Sequence, residues 1–121
     1  MAKAIGLGGA FLRANDPKAL YAWYAANLGV NAEGGFIMFQ KEDARASYSL
    51  VTFFKKTSDY FPLAQPAMLN LQVDDLDGLL QKLRDAGVTV DSKVDDSEYG
   101  KFGWITDPEG NRVELWQPPA E

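Results

Sequence analysis

The stretch Lys101-Phe-Gly-Trp-Ile-Thr-Asp-Pro-Glu-Gly-Asn-Arg-Val-Glu-Leu-Trp-Gln-Pro-Pro119 decides the fold of this chain. Its centre is typical of a tight turn. Asp107 suits the first turn position, Pro108 fixes φ at the second, and Gly110 supplies the fourth position or a left-handed one beside a bulge. Segments rich in aromatic and β-branched residues lie on both sides, and the two final prolines cannot continue a ladder. The stretch therefore predicts a β-hairpin that ends sharply.

The second strand of this hairpin has two different faces. Side chains alternate along a strand, so Val113 and Leu115 lie on one face and Arg112, Glu114 and Trp116 on the other. Glu is depleted in the middle of strands. Glu114 therefore marks either a sheet face exposed to water or a sheet face that lines a ligand cleft.

Length, composition and charge exclude several classes of protein. The chain has 121 residues, which suits one domain or two small repeats that share a core. It has no Cys and no His, which excludes disulfides, thiol nucleophiles, zinc-thiolate sites and an imidazole base or ligand. The net charge of −5, without a basic patch, argues against nucleic acid and anionic membranes. No apolar run could cross a bilayer or form a signal peptide, so we expect a cytoplasmic protein.

The first half of the chain predicts a strand, a helix, a short strand after Gly29-Val30, and a hairpin of two further strands. The first strand covers residues 5–13, and the helix runs from Asp16 to Leu28. Asp16 is its predicted N-cap and Gly29 the left-handed residue after its last turn. Strands follow at 35–40 and 47–54, and the second is so apolar that its two faces cannot be told apart.

The second half repeats this order of elements after a predicted linker at residues 57–66. A strand at 67–74 has Leu69, Leu71 and Val73 on one side, and a helix follows from Asp75 to Ala86. The remaining predicted elements are a short strand at 88–90, an acidic, solvent-facing loop at 91–99, and the hairpin.

Such a repeat predicts an α+β fold, a single domain over residues 1–121 made of two βαβββ modules. The modules span residues 4–56 and 67–118. Each helix must bury its apolar stripe against the apolar face of a sheet, which we call the convex side. The opposite, concave face is left to curl around a ligand.

The sequence resembles the vicinal oxygen chelate superfamily, which includes glyoxalase I, bleomycin-resistance proteins and extradiol dioxygenases. The matching residues are Asn15-Asp16-Pro17, Trp23-Tyr24 and Leu28-Gly29 in the first half, and Asp107-Pro108-Glu109-Gly110-Asn111 and Val113-Glu114-Leu115 in the second. The resemblance implies a U-shaped, partly open mixed sheet with helices on the convex side. It also implies a homodimer.

Metal-dependent members of that superfamily place ligands on the first and last strand of each module. By position, the resemblance puts these ligands at Gly9, at Ser49 or Val51, at Met68 and at Glu114. Of these, Glu114 alone is a residue type that commonly binds metal. We therefore expect no metal and no cofactor, and no glyoxalase or dioxygenase activity that depends on a metal.

Three hypotheses for the function remain. The first is a metal-free protein that binds a small organic molecule in the concave cleft. Its predicted ligand-binding residues are Phe11, Arg13, Met68, Asn70, Gln72, Trp104, Glu114 and Trp116. Glu114 would pair with a cation or a hydroxyl group, and Arg13 with a carboxylate or phosphate. The second is a metal-independent lyase or isomerase with Glu114 as general base, and the third is a structural or regulatory dimer without a ligand.

Overall fold

The computed structural model describes residues 2, 3 and 9–120, without the side chain of Lys41. It is a small α+β domain in which two helices pack on a mixed, open sheet, which confirms the predicted fold class. In chain order the elements are α1 (Pro17–Leu28), a 3₁₀ turn (Lys41–Asp43), β1 (Asn70–Gln72), α2 (Leu76–Asp85), β2 (Thr89–Val90), β3 (Asp95–Ser97), β4 (Gly100–Thr106) and β5 (Arg112–Gln117). Within the described residues, no helix is long and apolar enough to cross a membrane.

The predicted hairpin forms the centre of the sheet. The strand order is β1-β5-β4-β2, and β3 also pairs with β4. β4 and β5 are antiparallel, with Trp104 opposite Glu114, and β1 runs parallel to β5, with Asn70 opposite Glu114. The turn uses Gly110 at a positive φ of 83°, where a side chain would be strained. The sheet is therefore built around the hairpin of β4 and β5.

The core lies between the sheet and α2. Leu76, Leu80 and Leu83 of α2 are buried against the strand residues Ile105, Val113 and Leu115. α2 approaches closely because Gly103 of β4 has no side chain, and a Cβ there would lie 3.0 Å from the side chain of Leu80. The predicted apolar side of the 67–74 segment, Leu69, Leu71 and Val73, also packs against this core.

Both helices begin and end close to their predicted bounds. The Asp16 side chain accepts a hydrogen bond from the Ala19 amide at 3.1 Å, and α1 ends at Gly29 with φ 66°. The Asp75 side chain caps α2 in the same way, at 3.1 Å from the Gly78 amide. These contacts satisfy amide groups that a helix leaves unpaired at its first turn.

The hairpin turn also holds α1 in place. The Glu109 carboxylate accepts hydrogen bonds from the amides of Asn15 at 2.6 Å and Asp16 at 2.9 Å. The buried Asp107 accepts one from the Tyr24 hydroxyl at 2.8 Å. One turn of the second half therefore fixes both the start and the middle of the helix of the first half.

The strands predicted for the first half are not formed in the described residues. Residues 9–13 and 47–54 have no strand, and 35–40 has one isolated bridge, between Asn31 and Met38. Residues 4–8 of the first predicted strand lie outside the described part of the chain. A strand is stable where a neighbour takes up its backbone hydrogen bonds, and within the part of the chain that the structure describes these segments have only the bridge at Met38. A second correction is that the predicted acidic loop contains β3, which pairs with β4.

Candidate functional site

Glu114 lies in the middle of β5, on the face opposite α2, and is 8% exposed. Its carboxylate accepts three hydrogen bonds. The Trp104 indole N–H donates to Oε1 at 3.1 Å, and the Asn70 amide donates to Oε2 at 2.7 Å. The third donor is the hydroxyl of Tyr60, which also bonds Oε1. A buried carboxylate is costly without such donors, so these three contacts explain how Glu114 is accommodated.

Tyr60 lies over the concave face at the position of Glu114. Its ring stacks on Phe54 with the ring centroids 5.1 Å apart, and it makes a T-shaped contact with Trp104 at 6.0 Å and 82°. Burial raises the pKa of the Tyr60 hydroxyl, and the hydrogen bond to the Glu114 carboxylate raises it further. The hydroxyl therefore stays protonated near neutral pH and remains a donor to Glu114.

The segment that carries Tyr60 is held at a second point. We call residues 57–66 the strap, because they cross the concave side of β5. The Gln65 side chain accepts a hydrogen bond from the Arg112 amide at 2.8 Å and donates to the Arg112 carbonyl at 2.9 Å. The Arg112 side chain in turn donates from Nε to the Tyr60 carbonyl at 3.1 Å. Gln65 thus pairs with β5 much as a neighbouring strand residue would.

Cationic groups lie at the face of the Trp104 ring. The Arg112 guanidinium carbon is 5.3 Å from the ring centroid, and the Lys93 ammonium is 5.9 Å away. Arg112 also forms an ion pair with Asp91 at 3.1 Å. The backbone N–H of Lys93 and the Arg112 guanidinium lower the pKa of Asp91. The surroundings of Trp104 therefore carry positive charge within cation–π distance.

Aromatic side chains continue along the face to Trp116. The Trp116 ring lies parallel to Phe102, at 6.3 Å and 12°, and Tyr48 lies 6.1 Å away on a tilted plane. The Trp116 N–H donates to the Tyr99 carbonyl at 2.8 Å. Phe102, Trp104, Trp116, Tyr48 and Tyr60 thus form what we call the aromatic face, with Glu114 as its buried acceptor.

Four of the residues predicted for the site come together, and Gln72 lies beside them, because its partner in the register of β1 and β5 is Trp116. Asn70, Trp104, Glu114 and Trp116 share the aromatic face, through the contacts described above. Three of the others are placed as follows: Gln72 accepts a hydrogen bond from the Ala46 amide at 3.0 Å, Met68 is half-buried, and Arg13 is exposed.

Phe11 is 100% exposed, and neither Phe11 nor Arg13 is brought to Glu114. The reason is that residues 9–13 do not join the sheet as the strand that would have carried both side chains there.

Sequence reasoning missed Tyr60, Tyr48, Phe102 and Arg112. Tyr60 lies in the segment predicted as a linker, since prolines and polar residues dominate it. One signal could have identified it: Tyr60 and Phe61 are adjacent aromatic residues in a stretch predicted as a linker. Such residues bury large apolar areas and are seldom placed in a linker without a packing partner.

In the described residues the strap lies over the concave face at Glu114, and the Tyr48 ring lies 6.1 Å from that of Trp116, so an open cleft on this face stays a prediction. A groove of about 620 Å³ lies elsewhere, between α1 and residues 30–35, and contains none of the predicted site residues. The strap has a physical role at this face, because an uncovered row of Trp and Phe rings would be a large apolar patch in water.

The residues at Glu114 do not fit a metal ion. Among the residues described, no group of three or more acidic side chains could hold a metal. Both oxygens of Glu114 face N–H or O–H donors, whereas a metal ion requires lone pairs from its neighbours. That no transition metal binds in stoichiometric amount stays a prediction.

Three solved structures have the fold of this chain. TnmS3, an antibiotic binding protein from Streptomyces sp. CB03234, is 25% identical with a TM-score of 0.55, over 87% of this chain and 88% of that chain. The oxidase ChaP-H2 is 20% identical with a TM-score of 0.54, over 88% of this chain and 87% of that chain. The third is a member of the glyoxalase/bleomycin resistance protein/dioxygenase superfamily from Sphaerobacter thermophilus. It is 19% identical with a TM-score of 0.53, over 92% of this chain and 99% of that chain.

No curated protein matches the sequence. Residues 9–116, which are most of the chain, match the family described as the glyoxalase-like domain. The hairpin turn that caps α1, the mixed open sheet and the structural neighbours agree with that match. The chain belongs to the glyoxalase-like domain family, within the vicinal oxygen chelate superfamily.

Proposed function

We propose that this chain binds a small organic molecule on the aromatic face without a metal. The observation that carries the proposal is the buried Glu114 carboxylate among Trp104, Trp116, Phe102 and Tyr60. Ligand sites in proteins combine apolar and aromatic walls with a few fixed polar groups that orient the ligand. Here the rings supply the walls, and Glu114 with Asn70 supplies the polar group.

A structural neighbour supports the same proposal. TnmS3 is named as an antibiotic binding protein, and its fold extends over most of both chains. ChaP-H2, with the same fold, is named as an oxidase, so the fold alone does not decide between binding and catalysis. The hydrogen bonds favour binding over the alternative of a general base. A base needs a free lone pair directed at the substrate, whereas the Glu114 oxygens already accept three donors.

We expect planar aromatic compounds to bind wild-type protein and to raise its melting temperature. Phe102→Ala should weaken binding by about 0.5–1.5 kcal/mol, because one stacking partner on the aromatic face is lost. Tyr21→Ala is the matched control, since Tyr21 lines the groove beside α1 and should not affect binding. Titration calorimetry on the three proteins measures the difference. Failure of every aromatic compound to bind, or an equal loss in both variants, would contradict the proposal.

We also propose a homodimer, in which a second copy covers the apolar segments of the first half. These segments expose large side chains: Phe11, Phe36, Phe39, Leu50, Val51 and Phe53. An exposed apolar surface of this extent is typical of an interface, and twofold dimers are the commonest soluble oligomers. Unpaired segments with strand-like sequences are also ready partners for a second chain.

Sedimentation at micromolar concentration should therefore show a species of twice the chain mass. Phe53→Asp should shift it to the chain mass, because Phe53 is 93% exposed and would place a charge in the interface. Val94→Asp is a suitable control, since Val94 is a less exposed apolar residue of the second half. A wild-type protein that sediments at the chain mass alone would refute the dimer.

A further inference from the structure

We infer that Tyr60 occupies the position of the ligand, and that the site takes a neutral aromatic ring carrying a hydroxyl group. On binding, the ligand hydroxyl replaces the Tyr60 hydroxyl on Glu114 and the strap moves away. This inference rests on the proposed function and adds to it the chemical class of the ligand.

The contacts of Tyr60 are those of a bound phenol. Its hydroxyl donates to the buried carboxylate of Glu114, and its ring lies between Phe54 and Trp104. A hydroxyl bonded to a carboxylate is a charge-assisted hydrogen bond, which is stronger than a bond between neutral groups. Any ligand that reaches Glu114 must therefore supply an equivalent donor, and a second aryl hydroxyl does so without loss.

The charges around the site favour a neutral donor over a cation. Arg112 and Lys93 lie 5.3 Å and 5.9 Å from the centre of the Trp104 ring. Both groups are ion-paired, Arg112 with Asp91 at 3.1 Å and Lys93 with Asp95 at 3.7 Å, but they occupy the Trp104 ring at which a cationic ligand would gain a cation–π contact. A neutral hydroxyl gains the hydrogen bond to Glu114 without needing that contact.

The strap is built to leave the face while staying attached. Tyr60 is 37% exposed, and the neighbouring residues Asp59, Pro62 and Leu63 are exposed as well. Few buried contacts therefore oppose its movement. Gln65, at the end of the strap, keeps its own hydrogen bonds to Arg112 and can act as the fixed point.

The test compares three probes with wild-type protein and Tyr60→Phe by titration calorimetry. The probes are 2-naphthol, naphthalene and (2-naphthyl)methylammonium, which share one ring system and differ in the polar group. We expect wild-type protein to bind 2-naphthol at least about tenfold more tightly than either of the others. Tyr60→Phe should bind 2-naphthol about tenfold more tightly still, because Phe cannot compete for Glu114.

The direction of the Tyr60→Phe effect decides the inference. If Tyr60 were a fixed wall of the site that donates to the ligand, the variant would bind 2-naphthol more weakly, which would overturn displacement. Tighter binding of the ammonium probe than of 2-naphthol would overturn the ligand class. In both cases binding at the aromatic face, and hence the proposed function, would stand. No binding of any probe to either protein would overturn the inference and count against the proposed function too.

Discussion

Asp107→Ala should lower the free energy of unfolding by about 3–5 kcal/mol, which is large for a single substitution. Asp107 is 4% exposed and accepts hydrogen bonds from the Tyr24 hydroxyl and from the Glu109 and Asn111 amides. Ala would leave the Tyr24 hydroxyl buried without an acceptor and would loosen the turn whose Glu109 caps α1. Urea denaturation followed by circular dichroism measures the loss.

Tyr24→Phe is the matched control for this prediction. It removes the same hydrogen bond from the other side, but Asp107 keeps the Asn111 side chain and two amides as donors. We therefore expect a loss of about 1–1.5 kcal/mol, the usual contribution of one hydrogen bond. If Asp107→Ala cost no more than Tyr24→Phe, Asp107 would contribute through the Tyr24 contact alone, and its hydrogen bonds within the turn would add nothing to stability.

The Asp107 contacts explain why two distant motifs occur in one chain. The turn at 107–111 and the helix start at 15–17 were each predicted from local turn and capping rules. The structure shows that they are one unit, because Glu109 bonds the amides of Asn15 and Asp16. Local rules predict each partner separately, but they contain no information on which turn meets which helix.

The accuracy of the sequence-based predictions follows the range of the interactions involved. The hairpin and both helices were predicted correctly, since turn residues, caps and apolar periodicity act within a few positions. The strands predicted at 35–40 and 47–54 were wrong for the described chain, because a strand depends on a neighbour far away in sequence. The apolar side chains of 47–54 require a covering surface, which the described chain does not supply: Phe53, for example, is 93% exposed.

The residues of the site divide in the same way, into those placed by local sequence and those placed by distant contacts. Alternation along β1 and β5 was enough to predict that Asn70 and Glu114 share a face, and they are hydrogen-bonded at 2.7 Å. Tyr60 could not be placed in the same way. Its segment has no periodicity, and its position depends on Gln65 pairing with Arg112, 47 residues away in sequence.

Glu114→Ala should lower the free energy of unfolding by about 2–4 kcal/mol and abolish the preference for 2-naphthol over naphthalene. The substitution leaves the Trp104 N–H, which is buried, without an acceptor, and creates a space beneath Tyr60. Asn70 and Tyr60 are exposed residues, whereas Trp104 is buried, so water can replace part of the hydrogen bonding that these two lose. Urea denaturation and the calorimetric comparison of the two probes measure the two effects.

Glu114→Gln separates the charge of this residue from its shape. The Gln oxygen can still accept from Trp104 and Tyr60, and the Asn70 amide can rotate to accept from the Gln N–H₂. We therefore expect a loss of stability of about 1 kcal/mol, and a loss of 2-naphthol affinity of about 1 kcal/mol as a charge-assisted bond becomes a neutral one. A cationic ligand would instead lose about 1.5–3 kcal/mol. Unchanged 2-naphthol affinity in both Glu114 variants would mean that the ligand does not contact Glu114, and the buried carboxylate would then serve to hold the strap against the sheet.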